Sequence, residues 1–151
     1  MSSDDRQMES FLNAPRMFRT MKEEGGRPRT GVSRGELGAR LPGGTAKEDV
    51  KPDGDGLVHP GGGGMSVSPS LRDLPPNLIP RRLQGSLARD ARAPNDWRVW
   101  RLGTTPFAPG AVGTMLRLRP DQRGDGKARH GAIEPSRSMP ADEYQGALQS
   151  T

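Results

Sequence analysis

The chain has 151 residues, a formal net charge of +5, two histidines and no cysteine. That inventory excludes disulfides and thiolate zinc sites and argues against any metal centre. No apolar run approaches the roughly 20 residues needed to cross a bilayer, and Met1-Ser2-Ser3-Asp4-Asp5 has none of the character of a signal peptide, so membrane insertion and general secretory export are not expected.

Residues 1–15 are polar and end at Pro15, which predicts a mobile tail before a single domain over 16–151. Met17-Phe18-Arg19-Thr20-Met21 sets apolar side chains at 17 and 21 around Arg19 and predicts a first short strand. Gly25-Gly26-Arg27-Pro28 predicts a turn. Ser33 to Leu41 predicts one helical turn running into a strand, and residues 42–56 a loop rich in Pro, Gly and Asp. Val58 and Val67 are expected on two brief strands flanking Gly61-Gly62-Gly63-Gly64. Five prolines between residues 69 and 96 predict extended loop. Trp97 to Leu102, mixing aromatic and β-branched residues, carries the strongest strand signal. Met115-Leu116-Arg117-Leu118-Arg119 alternates apolar and basic residues like a half-buried strand that Pro120 stops. Gly124-Asp125-Gly126 predicts a turn, and His130 to Glu134 a third strand ended by Pro135. Pro140 then opens a helix with Asp142 and Glu143 in its first turn, where carboxylates suit the dipole. Tyr144 and Leu148, four apart, supply its apolar stripe. Short strands with few helices make this a small, loop-rich α+β fold.

Composition pulls the other way. Gly 21 and Pro 15, with only 24 of 151 residues Leu, Ile, Val or Phe, lie near the range of disordered chains. The small net charge cannot hold the chain open by self-repulsion, so a compact domain with frayed ends is expected. The charge is uneven: residues 1–75 are neutral and 76–151 supply the whole +5, and 19 of the 23 basic side chains are Arg. Arginine forks match phosphate or carboxylate, although a GC-rich genome writes the same bias. With Trp97 and Trp100 beside Arg98 and Arg101, a basic, partly disordered nucleic-acid-binding protein is the alternative reading.

Several motif matches fail. Asp53-Gly54-Asp55-Gly56 resembles a calcium loop, but its twelfth position is Gly64 rather than a bidentate Glu. Gly124-Asp125-Gly126-Lys127 is followed by Ala128 where a phosphate-binding loop needs Ser or Thr. With only His59 and His130 available, no serine shows a Ser-His-Asp pattern. What remains is Arg19 on the first strand, Ser66 after the glycines and Glu134 at the end of a late strand. Cleavage of the nicotinamide–ribose bond of NAD uses these types. An Arg fork clasps the pyrophosphate, a Ser hydroxyl holds the ribose, and a carboxylate stabilises the oxocarbenium-like transition state. The ordinary reading of each is a surface Arg, a turn Ser and a solvated Glu.

The order of the pieces adds to this. Phe18-Arg19, then Asp55-Gly56-Leu57 with a Pro and Gly63-Gly64-Met65-Ser66-Val67, then Pro75-Pro76 with Leu78, then His130, Ile133, Pro135 and Met139 follow one another over about residues 17–148. In this order they resemble the bacterial type VI secretion effector family of small ADP-ribosyltransferase-like cytotoxins. The resemblance implies an ADP-ribosyltransferase-like fold with a split or twisted sheet, and a toxin that binds NAD as substrate and transfers ADP-ribose to an intracellular target. It places Arg19, Gly63, Gly64, Met65, Ser66 and His130 at the NAD site, with Met65 where the family often has a hydroxyl residue. Ser66 is expected to act in catalysis; the catalytic role of Glu134 comes from its chemistry alone. A cognate immunity protein is the implied partner, and action in the cytoplasm of a target cell, after contact-dependent delivery from the bacterial cytoplasm, is the implied setting.

Overall fold

A computed structural model describes residues 15–42, 48–85, 90–121 and 129–151. Of the expected tail only Pro15 falls within them, and the expected turn at Gly124-Asp125-Gly126 lies outside. The first strand forms where its apolar spacing places it, as β1 (Phe18–Met21). Gly25 and Gly26, at φ 61° and 80°, supply the successive left-handed residues of a tight hairpin joining β2 (Glu23–Glu24) to β3 (Arg27–Pro28). The glycine tract separates β4 (Leu57–Val58) from β5 (Met65–Val67). The tryptophan segment becomes β6 (Arg98–Arg101), antiparallel to β1 with Phe18 opposite Arg101. A strand with no clear signal in the sequence, β7 (Gly110–Val112), precedes β8 (Leu116–Pro120) and β9 (Gly131–Pro135). The short β10 (Met139–Pro140) pairs with β4 and leads into α1 (Ala141–Gln149).

The larger sheet runs β5-β9-β8-β7, antiparallel throughout. Strand alternation sorts its side chains onto two faces. Met65, Val67, Leu116, Leu118 and Ile133 turn inward and pack with Tyr144 and Leu148 of α1 and with Met17, Met21, Val58 and Met139. Ser66, Ala132, Glu134, Arg117 and Arg119 take the outer face. A second, smaller cluster of Leu74, Ile79 and Ala91 lies under the proline-rich segment.

Two expectations are corrected. Ser33 to Leu41 makes one tight turn, closed by the Glu36 N–H on the Ser33 carbonyl at 3.2 Å, and a lone bridge from Leu37 to Thr30, but neither a helix nor a strand. Gly31, Gly35 and Gly38 weaken any helix there. A Cβ on Gly38 would stand 2.1 Å from the Gly31 carbonyl oxygen, and one on Gly35 2.8 Å from the Trp97 ring. Residues 69–96 include 3-10 turns at Leu71–Asp73, Pro76–Leu78 and Arg81–Leu83. Prolines 75, 76 and 80 stand at the start of the last two, where a missing N–H costs nothing.

With so few large aliphatics, polar groups take over part of the fastening. The Tyr144 hydroxyl donates to the Ile133 carbonyl and accepts the Met65 N–H at 3.1 Å, stapling β5 to β9. Gln145 exchanges two hydrogen bonds with the Ala39 backbone, at 2.8 and 2.6 Å. At the seam between the sheets, Phe18 and Ser68 exchange backbone bonds of 2.8 and 2.9 Å. There the pairing stops, and the Arg19 side chain continues it. Its Nη1 donates to the Ser66 carbonyl at 2.9 Å, and Nη2 to the Arg34 and Glu36 carbonyls at 3.1 and 3.0 Å.

Two stability predictions follow from this fastening. Arg19→Met orphans three carbonyls and should cost about 3–5 kcal/mol, lowering the melting temperature by roughly 6–20 °C; a parental melt would show that the seam closes without it. At Gly64 an added Cβ would stand 2.2 Å from the Ile133 carbonyl oxygen and 2.8 Å from the Tyr144 hydroxyl. Gly64→Ala should therefore cost about 2–4 kcal/mol. Gly62→Ala, whose nearest atom is the His59 carbonyl oxygen at 3.2 Å, should lose clearly less in the same thermal melts.

Candidate active site

The seam opens on a cleft of about 250 Å³ whose lining includes Phe18, Arg19, Ser66, Leu78 and His130. Three residues far apart in the sequence, Arg19, Ser66 and His130, thus meet at one place. Ser66 arrives there because Met65 and Val67 on either side are drawn into the core, which turns the serine to the outer face. His130 sits immediately before β9. Its Nδ1 is 2.6 Å from Oδ2 of Asp121, so the carboxylate fixes the ring and leaves Nε2 as the basic nitrogen.

Arg19 is 3% exposed and cannot serve as a free fork. Nε also leans on the Glu36 carbonyl at 3.3 Å, so most of its five N–H donors are spent on backbone. Burial pulls its pKa down to about 10, with Asp49 acting the other way; the group stays charged at neutral pH. Its geometry positions Ser66, through that residue's carbonyl, instead of grasping a pyrophosphate. Two other arginines line the cleft. Arg40 is bound to Asp49 at 2.9 Å, whereas Arg34 lies 5.9 Å from the Trp97 ring centroid, an exposed cation braced on an aromatic face.

The glycine tract approaches its own chain. Gly63, at φ 97°, would place a Cβ 2.2 Å from the Asp49 carbonyl oxygen, and Gly64 packs on Ile133 as described. Met65 is fully buried. None of the three is among the described residues lining the cleft, so their part is to seat β5 and present Ser66. Gly61 does reach a functional group, donating its N–H to Oε2 of Glu134 at 2.8 Å.

Glu134 does not join Arg19 and Ser66. It is 1% exposed, and Oε1 accepts Nε of Arg117 and of Arg119 at 2.5 and 3.1 Å. Burial works to raise its pKa, but the Gly61 N–H and the two guanidinium groups outweigh it and hold the carboxyl below its usual range. It borders a different cavity of about 750 Å³ that Arg117, Arg119 and Asp121 also line. A carboxylate so engaged has no free oxygen directed at a substrate in the seam cleft.

Arg34, Asp121, Arg117 and Arg119 belong to no motif in the sequence, although Leu116-Arg117-Leu118-Arg119 puts the last two cations on one face. His59 has its Nδ1 2.7 Å from the Ser138 hydroxyl and its Nε2 2.6 Å from Asp53. In a serine nucleophile triad Nε2 faces the serine. Here the nitrogens are reversed, and Asp53 also takes the Asp55 and Leu57 N–H groups, as suits a latch across β4 and β10. Among the described residues no group of three His, Cys, Asp or Glu is placed to hold a metal, and no helix is long and apolar enough to cross a membrane.

No curated protein sequence matches the chain at a significant level. The sequence model of the Tse2 ADP-ribosyltransferase toxin family matches residues 16–151. That span holds every element described above and the whole seam cleft, and the mix of short strands with one helix among the described residues suits a small α+β ADP-ribosyltransferase-like domain. Enzymes of this kind take NAD as substrate. The chain belongs to the Tse2 ADP-ribosyltransferase toxin family.

Proposed function

We propose that this toxin binds NAD with the nicotinamide–ribose end in the seam cleft and transfers ADP-ribose to a molecule of the cell it enters. The observation that carries this reading is the convergence of Ser66, His130 and the Arg19 strut on one cleft. A volume of about 250 Å³ is below that of sites for whole drug-sized ligands and suits one end of a dinucleotide. Phe18 and Leu78 offer an apolar wall for an aromatic ring.

The chemistry is displacement at the ribose C1′: the C1′–N bond breaks, its electron pair leaves with nicotinamide, and a nucleophile of the acceptor bonds C1′ and sheds a proton. Ser66 binds a hydroxyl of the ribose and fixes the sugar. Arg19 holds the backbone of Ser66 so that the hydroxyl needs no rearrangement on binding. Nε2 of His130 accepts the acceptor's proton, and Asp121 behind Nδ1 stabilises the resulting imidazolium. The carboxylate contribution thus comes from Asp121 through a histidine, in place of the direct role expected for Glu134.

A toxin that acts inside cells requires protection of its producer, so a cognate immunity protein is part of the proposal, together with contact-dependent delivery. The family match lends nothing to the nucleic-acid alternative, which would show salt-dependent RNA or DNA binding indifferent to Ser66.

Expression inside a bacterium should arrest growth. Ser66→Ala should restore colony counts by at least about a hundredfold, keep the parental circular dichroism, and abolish the amide shifts that NAD induces in the parent. Arrest by Ser66→Ala equal to the parent would overturn the site assignment. Arg19 variants are poorer probes, because their loss of stability would mimic loss of activity.

A further inference from the structure

Of the described arginines lining the seam cleft, Arg19 is committed to carbonyl oxygens and Arg40 to Asp49, which leaves the single guanidinium of Arg34, braced on the Trp97 ring, to meet the diphosphate of a dinucleotide. The outer face of the larger sheet supplies a pair. Register places Ser66 opposite Ala132, and Ala132 opposite Arg119, in a single row across β5, β9 and β8. With strands about 4.8 Å apart, Ser66 and Arg119 stand roughly 10 Å from each other, a span that a nucleoside and its phosphate ester cover. Only the methyl group of Ala132 lies between them. On one side the row is bordered by Glu134 and Arg117, with Gly61 bonded to Glu134. On the other side stand His130 and Asp121, joined through side chains and by the Asp121 N–H to the His130 carbonyl at 2.8 Å.

Arg117 and Arg119 are built as a pair. Each touches the buried Glu134 through Nε, the edge of the guanidinium nearest the backbone, and they remain 39% and 55% exposed. Nη2 of Arg119 would lie 3.6 Å from a Cβ on Gly61, which puts that end of the fork beside the glycine tract. Both groups border the cavity of about 750 Å³. A carboxylate that fixes two guanidinium groups by Nε leaves Nη edges as donors for an anion, and a bidentate fork selects phosphate or carboxylate oxygens.

We propose that Arg119 and Arg117, oriented by buried Glu134, form the phosphate-binding part of the site, so that the dinucleotide crosses Ala132 and lays its diphosphate on this pair instead of on Arg19. This rests on the assignment of the nicotinamide–ribose end to the Ser66 cleft. Glu134 is then a positioning residue, and the glycine tract borders the groove through Gly61. The adenylate half extends into the larger cavity beyond β8.

Calorimetric titration of the full chain tests this with three ligands: NAD, nicotinamide riboside, which has no phosphate, and inorganic pyrophosphate. Arg119→Gln should weaken NAD and pyrophosphate by about tenfold to a hundredfold and change riboside binding less than about twofold. Ala132→Leu, which touches neither arginine's bond to Glu134, should block NAD by a similar factor while leaving pyrophosphate and riboside each within about twofold of the parent. Unchanged NAD affinity in either variant, with parental melting, overturns the proposal and leaves the Ser66 reading intact. If Arg119→Gln melts early, the Ala132→Leu result decides alone. A parent that binds no NAD removes the Ser66 reading; pyrophosphate binding that Arg119→Gln abolishes would then still establish the arginine pair as an anion site, and a parent blind to pyrophosphate removes that too.

Discussion

A buried guanidinium joins the β1–β6 pair to the four-stranded sheet, and much of the architecture follows from that. Phe18 and Ser68 exchange their backbone bonds, and toward Arg19 and Ser66 no further strand pairing joins β1 to β5 among the described residues. The carbonyls of Arg34, Glu36 and Ser66 would be left facing one another across the seam. Arg19 satisfies all three with one side chain. Desolvating a cation is costly, and replacing it by an apolar group would not help unless the carbonyls were also paired. The gain is positional. One rigid planar group sets the distance between the glycine-rich bends at 31–38 and the strand that carries Ser66.

The same logic recurs at Glu134. Both are buried charges, and both have their hydrogen-bonding capacity taken up by partners that belong to the site. Arg19 uses backbone acceptors and therefore orients a strand. Glu134 uses the side chains of Arg117 and Arg119 and therefore orients cations. Neither has much capacity left for a ligand, and what they hold in place is more exposed: Arg19 the strand of Ser66, Glu134 the guanidinium groups of Arg117 and Arg119, while His130 is held separately by Asp121. The division follows from burial: a charge taken out of water must be fully paired, and a fully paired group has little left for a ligand.

The sequence revealed the fold's regular parts through periodicity. β1, β6, β8, β9 and α1 form within a residue or two of their expected bounds, where apolar spacing, aromatic and β-branched content or the Tyr144–Leu148 pair signals them. Ser33 to Leu41 escaped that reading, since its conformation is set by contacts with Trp97 and Gln145 that are distant in sequence. The convergence of Arg19, Ser66 and His130 was legible as a motif order. What each does was not: an arginine's role depends on how many donors remain after burial, and composition is silent on that. Glu134 is the clearest case. Its residue type fits sugar chemistry, but the alternation of β8 aims two arginines at it, and that pairing across strands occupies Oε1.

Composition alone put the chain near the boundary of disorder, with few branched aliphatics and many glycines and prolines. It folds because the shortage is met in two ways. Methionines 17, 21, 65 and 139 fill the core where leucines would ordinarily sit, adapting to irregular gaps as unbranched side chains can. Glycines at positions 63 and 64 let backbone segments approach to distances that any Cβ would forbid, so that Tyr144 can bond two strands at once. The glycine tract that looks like a linker is therefore among the most constrained segments of the chain. Its small residues are the reason Met65 reaches the core, and Met65 in the core is the reason Ser66 faces the cleft.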